Sequence, residues 1–230
     1  MQLGYDFKRS NNDLEFGGFQ VFNANTHIHQ FVLAYDITKT DASGDTHANA
    51  TLYASPGYFD SANNDDSFAA ARLGAKPRYQ YLTLSADRNL PLGGTGFSVS
   101  ARGLFQWTGS TLLPSEEMGL GGNATVRGYE PYAAQGDRGW NVQTELRSPA
   151  ITWNSAAVQP FVFFDAGHVW NRIPEAGEVN NASLASIGAG FRFQFNRFVS
   201  VRGTYGFPLK SVVLNGSKTP LGEIFVVIGS

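Results

Sequence analysis

Side chains able to do chemistry are few and scattered in this sequence of 230 residues. His27 and His29 could ligate a metal ion, but no carboxylate or cysteine accompanies them at a useful spacing. They read as polar loop residues, and no metal is expected. The run Gly119-Leu-Gly-Gly122 lacks the Gly-Lys-Ser/Thr ending of a phosphate-cradling loop. No serine sits in a Gly-x-Ser-x-Gly setting, and no Ser, His and acid set stands out. Neither catalysis nor a cofactor is expected. What remains is Arg127 with Asp165 and Glu145, a planar cationic fork and two carboxylates it can bind bidentately. Asp165 shares strand parity with Phe161 and Phe163, and Glu145 lies on the polar face of the preceding strand. Adjacent strands can therefore present both carboxylates to one point. Gly128 permits the backbone to turn and Tyr129 supplies an apolar anchor. Such chemistry positions a loop against a wall. The alternative makes the acids solvated charges and Arg127 a surface loop residue.

The elements that must hold these residues are strands. Helical periodicity is nearly absent, and period-two alternation recurs from end to end. Phe97, Val99, Ala101, Phe105 and Trp107 alternate with Ser98, Ser100, Arg102, Leu104 and Gln106; Trp140, Val142 and Leu146 alternate with Asn141, Gln143, Glu145 and Arg147. The pattern predicts about ten strands, near residues 2–9, 29–40, 46–55, 78–88, 96–108, 140–148, 159–170, 185–196, 198–207 and 222–229. Tight turns at 41–45, 90–94 and Asn196-Arg197 alternate with long connections at 10–28, 56–77 and 109–139. A soluble sandwich accounts for the polar faces, but not for opposite faces on which Phe, Trp and Tyr recur. An all-β, transmembrane antiparallel β-barrel does so, with aromatics outward and charges inward, because an Arg or Lys facing lipid costs ~2–4 kcal/mol at mid-depth. Tyr5, Tyr35, Trp107, Trp140 and Trp170 fall near strand ends, as an interfacial girdle would.

Composition agrees and excludes some classes. Aromatics make up 13% and glycines number 26, a mixture suited to half-apolar strands. There is no cysteine. A net charge of −2 without a basic block argues against nucleic acid as a partner. No run of eighteen apolar residues predicts a membrane helix. Residues 2–6 are already strand-like, with no basic and apolar leader, so no signal peptide is expected in this chain.

The connection from Ser110 to Trp140 is longer than a hairpin needs, yet it holds Met118, Leu120, Val126, Tyr129 and Tyr132. In a barrel, the surface available to them is the lumen wall, so residues 119–139 are expected to fold back into the lumen. Within it, Leu113-Pro-Ser-Glu-Glu-Met-Gly-Leu-Gly-Gly-Asn-Ala-Thr-Val126-Arg127-Gly128-Tyr129, then Gly136-Asp137-Arg-Gly139 and Glu145-Leu146, resembles the signature of the haemolysin-activator family. These are the TpsB transporters of two-partner secretion (the ShlB/FhaC/HecB group), within the superfamily of outer-membrane assembly factors that includes BamA. Pro160-Phe161-Val-Phe163-Phe-Asp165-Ala-Gly167 resembles the family's other barrel motif, a strand whose Asp meets the loop Arg.

The resemblance implies a non-enzymatic pore in the Gram-negative outer membrane that translocates a secreted exoprotein (TpsA-like). Its surroundings would be outer-membrane lipid, with the barrel assembly machinery as a partner during biogenesis. It also implies a barrel of sixteen strands preceded by POTRA domains and a plug helix. Residues 1–230 read as one barrel domain matching the last ten strands, without POTRA domains. The alternatives are an assembly factor that inserts other barrels, or a passive outer-membrane channel. With a wet lumen, the Arg127 pair is expected to fix the loop's position more than to add stability.

Overall fold

The computed structural model describes residues 1–16, 19–174, 180–196, 198–210 and 222–228. Its strands are β1 (Gln2–Phe16), β2 (Phe19–Asp41), β3 (Gly44–Ser55), β4 (Tyr79–Pro91), β5 (Ser98–Thr108), β6 (Met118–Leu120), β7 (Ala134–Gly136), β8 (Arg138–Arg147), β9 (Ile151–Trp153), β10 (Ala156–Trp170), β11 (Asn181–Phe195), β12 (Val199–Pro208) and β13 (Gly222–Ile228). Ten of them pair in the order β1-β2-β3-β4-β5-β8-β10-β11-β12-β13, the short β9 pairs with β10, and β6 pairs with β7 separately. Every pairing is antiparallel. These ten are the ten that the alternation predicts, in the same order. The turn expected at Asn196-Arg197 joins β11 to β12; Asn196 has φ 50°, and Arg197 lies outside the described residues.

One expected connection is a strand pair. Residues 10–16 and 19–28 continue the pairing of β1 with β2, with Ser10 opposite Thr26 and Phe16 opposite Phe19. The run Asn11-Asn12-Asp13 has no apolar alternation, so locally it reads as loop; the ladder to the neighbouring strand overrides that preference. β2 runs to 23 residues, about twice what a tilted strand needs to cross a bilayer. β3 meets β2 only from Phe31 onward, so the β1–β2 pair extends beyond its neighbour.

The outer face is a continuous apolar band. Leu3, Leu33, Leu52, Leu82 and Trp107 lie in one register row across β1 to β5. Tyr35, Ala50, Leu84, Phe105 and Trp140 form the next, reaching β8. Further side chains on this face, among them Val162, Phe164, Ile187, Phe191 and Tyr205, are also exposed. Soluble monomers rarely expose apolar patches beyond roughly 600 Å². Among the described residues no second sheet covers this face, which removes the sandwich reading. The opposite face buries Gln30, Thr51, Gln106, Asn141, Gln143, Glu145, Asp165 and Thr204. Phe161, Phe163, Tyr79 and Tyr81 are also buried on it, so the inner wall is not purely polar.

The sheet curls around the segment between β5 and β8. Part of that segment reaches Lys8 on β1, and another part reaches Ala185 on β11. The β6–β7 pair gives it a framework, around which Met118, Leu120, Val126, Tyr129, Ala133 and Ala134 pack with Val169 and Leu184 of the wall. A second inner cluster joins Phe68 with Ile28, Tyr79, Tyr81, Leu112 and Leu113. Phe68 sits on α1 (Asp65–Ala71), where Asn64 caps the helix by accepting from Ser67 N at 2.9 Å, and Asp65 and Asp66 occupy its first turn. This helix was absent from the sequence reading, although Asn-Asp-Asp before an alanine-rich run is its signal. The fold is a partial antiparallel β-barrel of the transmembrane type with its longest loop inside.

Candidate functional site

The interior loop brings Val126, Arg127, Gly128 and Tyr129 onto the inner faces of β8 to β12. Arg127 donates from Nε to Asp165 Oδ2 at 2.7 Å, from Nη2 to Asp165 Oδ1 at 2.7 Å, and from Nη1 to Glu145 Oε1 at 2.6 Å. Its backbone N–H also donates to Asp165 Oδ2, at 3.1 Å. The two carboxylates reach one guanidinium because Asp165 and Glu145 share the inner face of adjoining strands, with Glu145 opposite Phe163. The Arg127 guanidinium lies 3.7 Å from the centroid of the Phe163 ring. Arg192 and Arg202 lie over Phe161 at 5.2 and 5.3 Å.

The environment departs from the wet lumen expected. Arg127 is 1% exposed and Asp165 0%. The reason is the loop itself, which caps the pair with its own apolar cluster. Val126 and Tyr129 are buried in that cluster, and the Tyr129 hydroxyl donates to the carbonyls of Ala185 or Lys210, 2.8 Å from each. Gly128, at φ 87°, lies against β12; an added Cβ would come within 2.9 Å of the Gly206 carbonyl carbon and oxygen. The backbone therefore approaches the wall as closely as it can, at a left-handed residue. Gly121, at φ 106°, serves the loop's other arm, where a Cβ would collide with Glu130 O.

Glu145 is more than a second partner for Arg127. It also accepts from Arg147 Nε at 2.9 Å, Arg192 Nη2 at 2.7 Å and Arg202 Nη2 at 2.5 Å, joining β8, β11 and β12. Four guanidinium groups converge there on two carboxylates. The excess positive charge faces a chamber of about 960 Å³ lined by Arg88, Arg102, Arg147, Arg192 and Arg202. Asp87, Glu117 and Glu145 are its acidic members. These arginines were not singled out in the sequence reading; inward parity and mid-strand arginine were the available signals.

Asp137, from the Gly-Asp-x-Gly segment, makes a separate fastening. It is fully buried and accepts from Arg72 Nη1, Leu112 N and Arg172 N, each at 2.7 Å. Arg72 Nη1 also lies 2.6 Å from Glu117 Oε1, and Nη2 donates to Asn171 Oδ1 at 3.1 Å. One aspartate thus joins three connections: those after β3, β5 and β10. Gly136 precedes it in β7, packed on the backbone of Trp170. A third fastening is Glu116, which accepts from Lys8 Nζ at 2.8 Å and from Tyr81 Oη at 2.8 Å. Arg72 and Glu116 carry no local signal, since their partners stand far away in the sequence.

The two histidines set aside for want of a carboxylate acquire one from the fold. Asp60, in the connection after β3, accepts from His27 Nδ1 at 2.9 Å and His29 Nε2 at 2.8 Å. These imidazole bonds hold the Asp60 carboxyl well below the usual carboxylate range.

Solved structures share this architecture. CdiB from Escherichia coli matches with a TM-score of 0.70 at 17% identity, over 88% of this chain and 36% of that one. BamA from Haemophilus ducreyi lacking POTRA domains 1–3 matches with a TM-score of 0.66 at 16% identity, over 90% and 43%. At those identities the likeness is one of fold. In sequence, the heme/hemopexin transporter protein HuxB of Haemophilus influenzae is 28% identical over 144 residues, and that of strain 86-028NP is 30% identical. The aligned part is 61% of this chain and 25% of HuxB, so the chain spans about a quarter of the relatives' length. The match to haemolysin secretion/activation protein ShlB/FhaC/HecB runs over residues 2–193, through the loop latch and both of its carboxylate strands, and the chain belongs to that family.

Proposed function

We propose that this chain forms the wall and the plugging loop of an outer-membrane pore through which a partner exoprotein is secreted, without enzymatic chemistry of its own. The observation that carries the reading is the buried latch of Arg127 on Asp165 and Glu145, which lodges a long loop in the interior of a membrane-type barrel. A catalytic site needs groups that can exchange protons or attack a substrate. Here the buried charges of the loop are occupied with one another, as holding demands. The apolar outer rows suit lipid, and barrel assembly machinery would insert the chain. Residues 1–230 act as one barrel unit in this reading. In it, Val126, Arg127, Gly128, Tyr129, Gly136 and Asp137 position the loop, and Asp165, Glu145, Phe161 and Phe163 are its wall.

The test is secretion. The gene containing this chain is deleted in its native host, and each exoprotein carrying a secretion domain is followed in the medium. Loss of one exoprotein, with other outer-membrane proteins folding normally, supports the proposal. A general fall in outer-membrane barrels instead points to an assembly factor. Unchanged secretion and unchanged barrels, with altered small-solute uptake, point to a passive channel.

A further inference from the structure

We propose that His27, His29 and Asp60 form a binding site for a divalent transition-metal ion of the zinc type on the outer surface of the barrel. The ligand atoms available to these three side chains lie within 4.8 Å of one another. His27 and His29 are two residues apart on β2 and share its outer face with Phe31, so both imidazoles reach the same side. Asp60 comes from the connection after β3, delivered by backbone contacts. His27 N donates to Ala62 O at 3.0 Å, and Asn63 Nδ2 donates to His27 O at 2.6 Å.

Without metal, both imidazoles donate to a single oxygen, Asp60 Oδ2. A tetrahedral zinc ion at about 2.0–2.1 Å from nitrogen and oxygen ligands needs ligand atoms roughly 3.3 Å apart. The two Asp60 separations of 2.8 and 2.9 Å must therefore open by about half an ångström, and the two imidazole nitrogens, within 4.8 Å of each other, must settle at the same spacing. Asp60 can supply it, because its side chain is 36% exposed on a loop, whereas the histidines are at 21% and 13%. Two neutral imidazoles and one carboxylate suit zinc, copper or nickel and leave a coordination position for water. The harder ions calcium and magnesium prefer oxygen sets.

The surroundings are those of a ligand site. Tyr5 Oη lies 2.5 Å from His29 Nδ1, so the nitrogen facing away from Asp60 has a hydrogen-bond partner. When His29 Nε2 carries the metal, the ring proton moves to Nδ1 and donates to Tyr5 Oη, reversing the bond and fixing the tautomer. Phe59 stacks on His29 at 4.9 Å, and Phe7 lies at 4.8 Å, limiting the ring's rotation. Among the described residues His27 Nε2 is buried without a hydrogen-bond partner; with metal on Nδ1 the ring proton sits on Nε2, so this imidazole lacks the outer partner that Tyr5 gives His29. Bound metal would clamp the connection after β3 to β2, and α1 and Arg72 continue from that connection to Asp137 inside.

The probe is zinc itself, titrated into the full chain folded in detergent micelles, with binding followed by calorimetry. Folding of every variant is checked by heat-dependent mobility. The expectation is one zinc ion per chain. His29→Ala and Asp60→Asn should each weaken binding on the order of a hundredfold or more, and Tyr5→Phe about tenfold, as loss of an outer partner of a ligand does. His168→Ala, which removes a histidine bonded to Ser183, should bind as the wild type. No zinc uptake below millimolar concentration overturns the proposal and leaves only a hydrogen-bonded clasp. So does equal uptake by folded wild type and Asp60→Asn.

Discussion

Among the described residues, replacing Arg127 by alanine removes every side-chain hydrogen bond that Asp165 receives, leaving it the backbone N–H of residue 127. The sequence alone suggested a solvated pair, for which loss costs about 0–1 kcal/mol. With Arg127 1% exposed and Asp165 0%, the physics is that of a buried charge stripped of its partner, which costs about 3–5 kcal/mol. Glu145 suffers less, since Arg147, Arg192 and Arg202 remain on it. The loop should nevertheless stay lodged. Met118, Leu120, Val126 and Tyr129 are buried in one cluster, and at roughly 1.5–3 kcal/mol each they total about 6–12 kcal/mol, which still exceeds the latch after a cut of about a third for residual burial in the unfolded chain. The assay is urea unfolding in micelles, read by tryptophan fluorescence and by the heat-dependent shift in mobility. Arg127→Lys should behave closer to alanine than to wild type, because an ammonium cannot span both oxygens of Asp165 and also reach Glu145. The double change Arg127→Met with Asp165→Leu should cost less than Arg127→Met alone, since no buried charge is left unpaired. A cost below about 1 kcal/mol for Arg127→Ala, with no coupling to position 165, would refute the reasoning and return the pair to solvent.

Three further outcomes are expected. Gly128→Ala should displace the loop from β12, because the new Cβ meets the Gly206 backbone at 2.9 Å and φ is 87°; faster proteolysis within residues 119–137 measures it, and a wild-type digestion rate would count against the close contact. Asp137→Ala should destabilise the long-connection end of the barrel by about 1–3 kcal/mol or more in urea unfolding, because Leu112 N and Arg172 N lose their buried acceptor and Arg72 keeps Glu117 alone of its two carboxylates; an unchanged midpoint would count against the fastening. The chamber under the loop should favour anions, so Arg102→Glu should move the reversal potential of a planar-bilayer recording toward cation selectivity; no shift would place the ion path elsewhere.

What could be read in the sequence was whatever repeats at short range. Period-two alternation marks ten strands in order, because each strand must satisfy lipid on one side and an interior on the other at every second residue. Strand parity likewise puts Asp165, Glu145, Phe161 and Phe163 on the same face as the expected partners of Arg127. Tertiary structure decided matters that depend on distant neighbours. Residues 10–16 and 19–28 form strand because a paired ladder satisfies their backbone, although the run Asn11-Asn12-Asp13 carries no apolar alternation. The Arg127 pair is buried, since water is excluded by the loop's own apolar cluster folding over it, and alternation does not encode that packing. Arg72 reaches Asp137 across 65 residues, Lys8 reaches Glu116 across 108, and Asp60 meets His27 across 33. Charges at such separations are brought together by sheet curvature and loop docking, and their meeting follows from the whole fold and not from any local spacing.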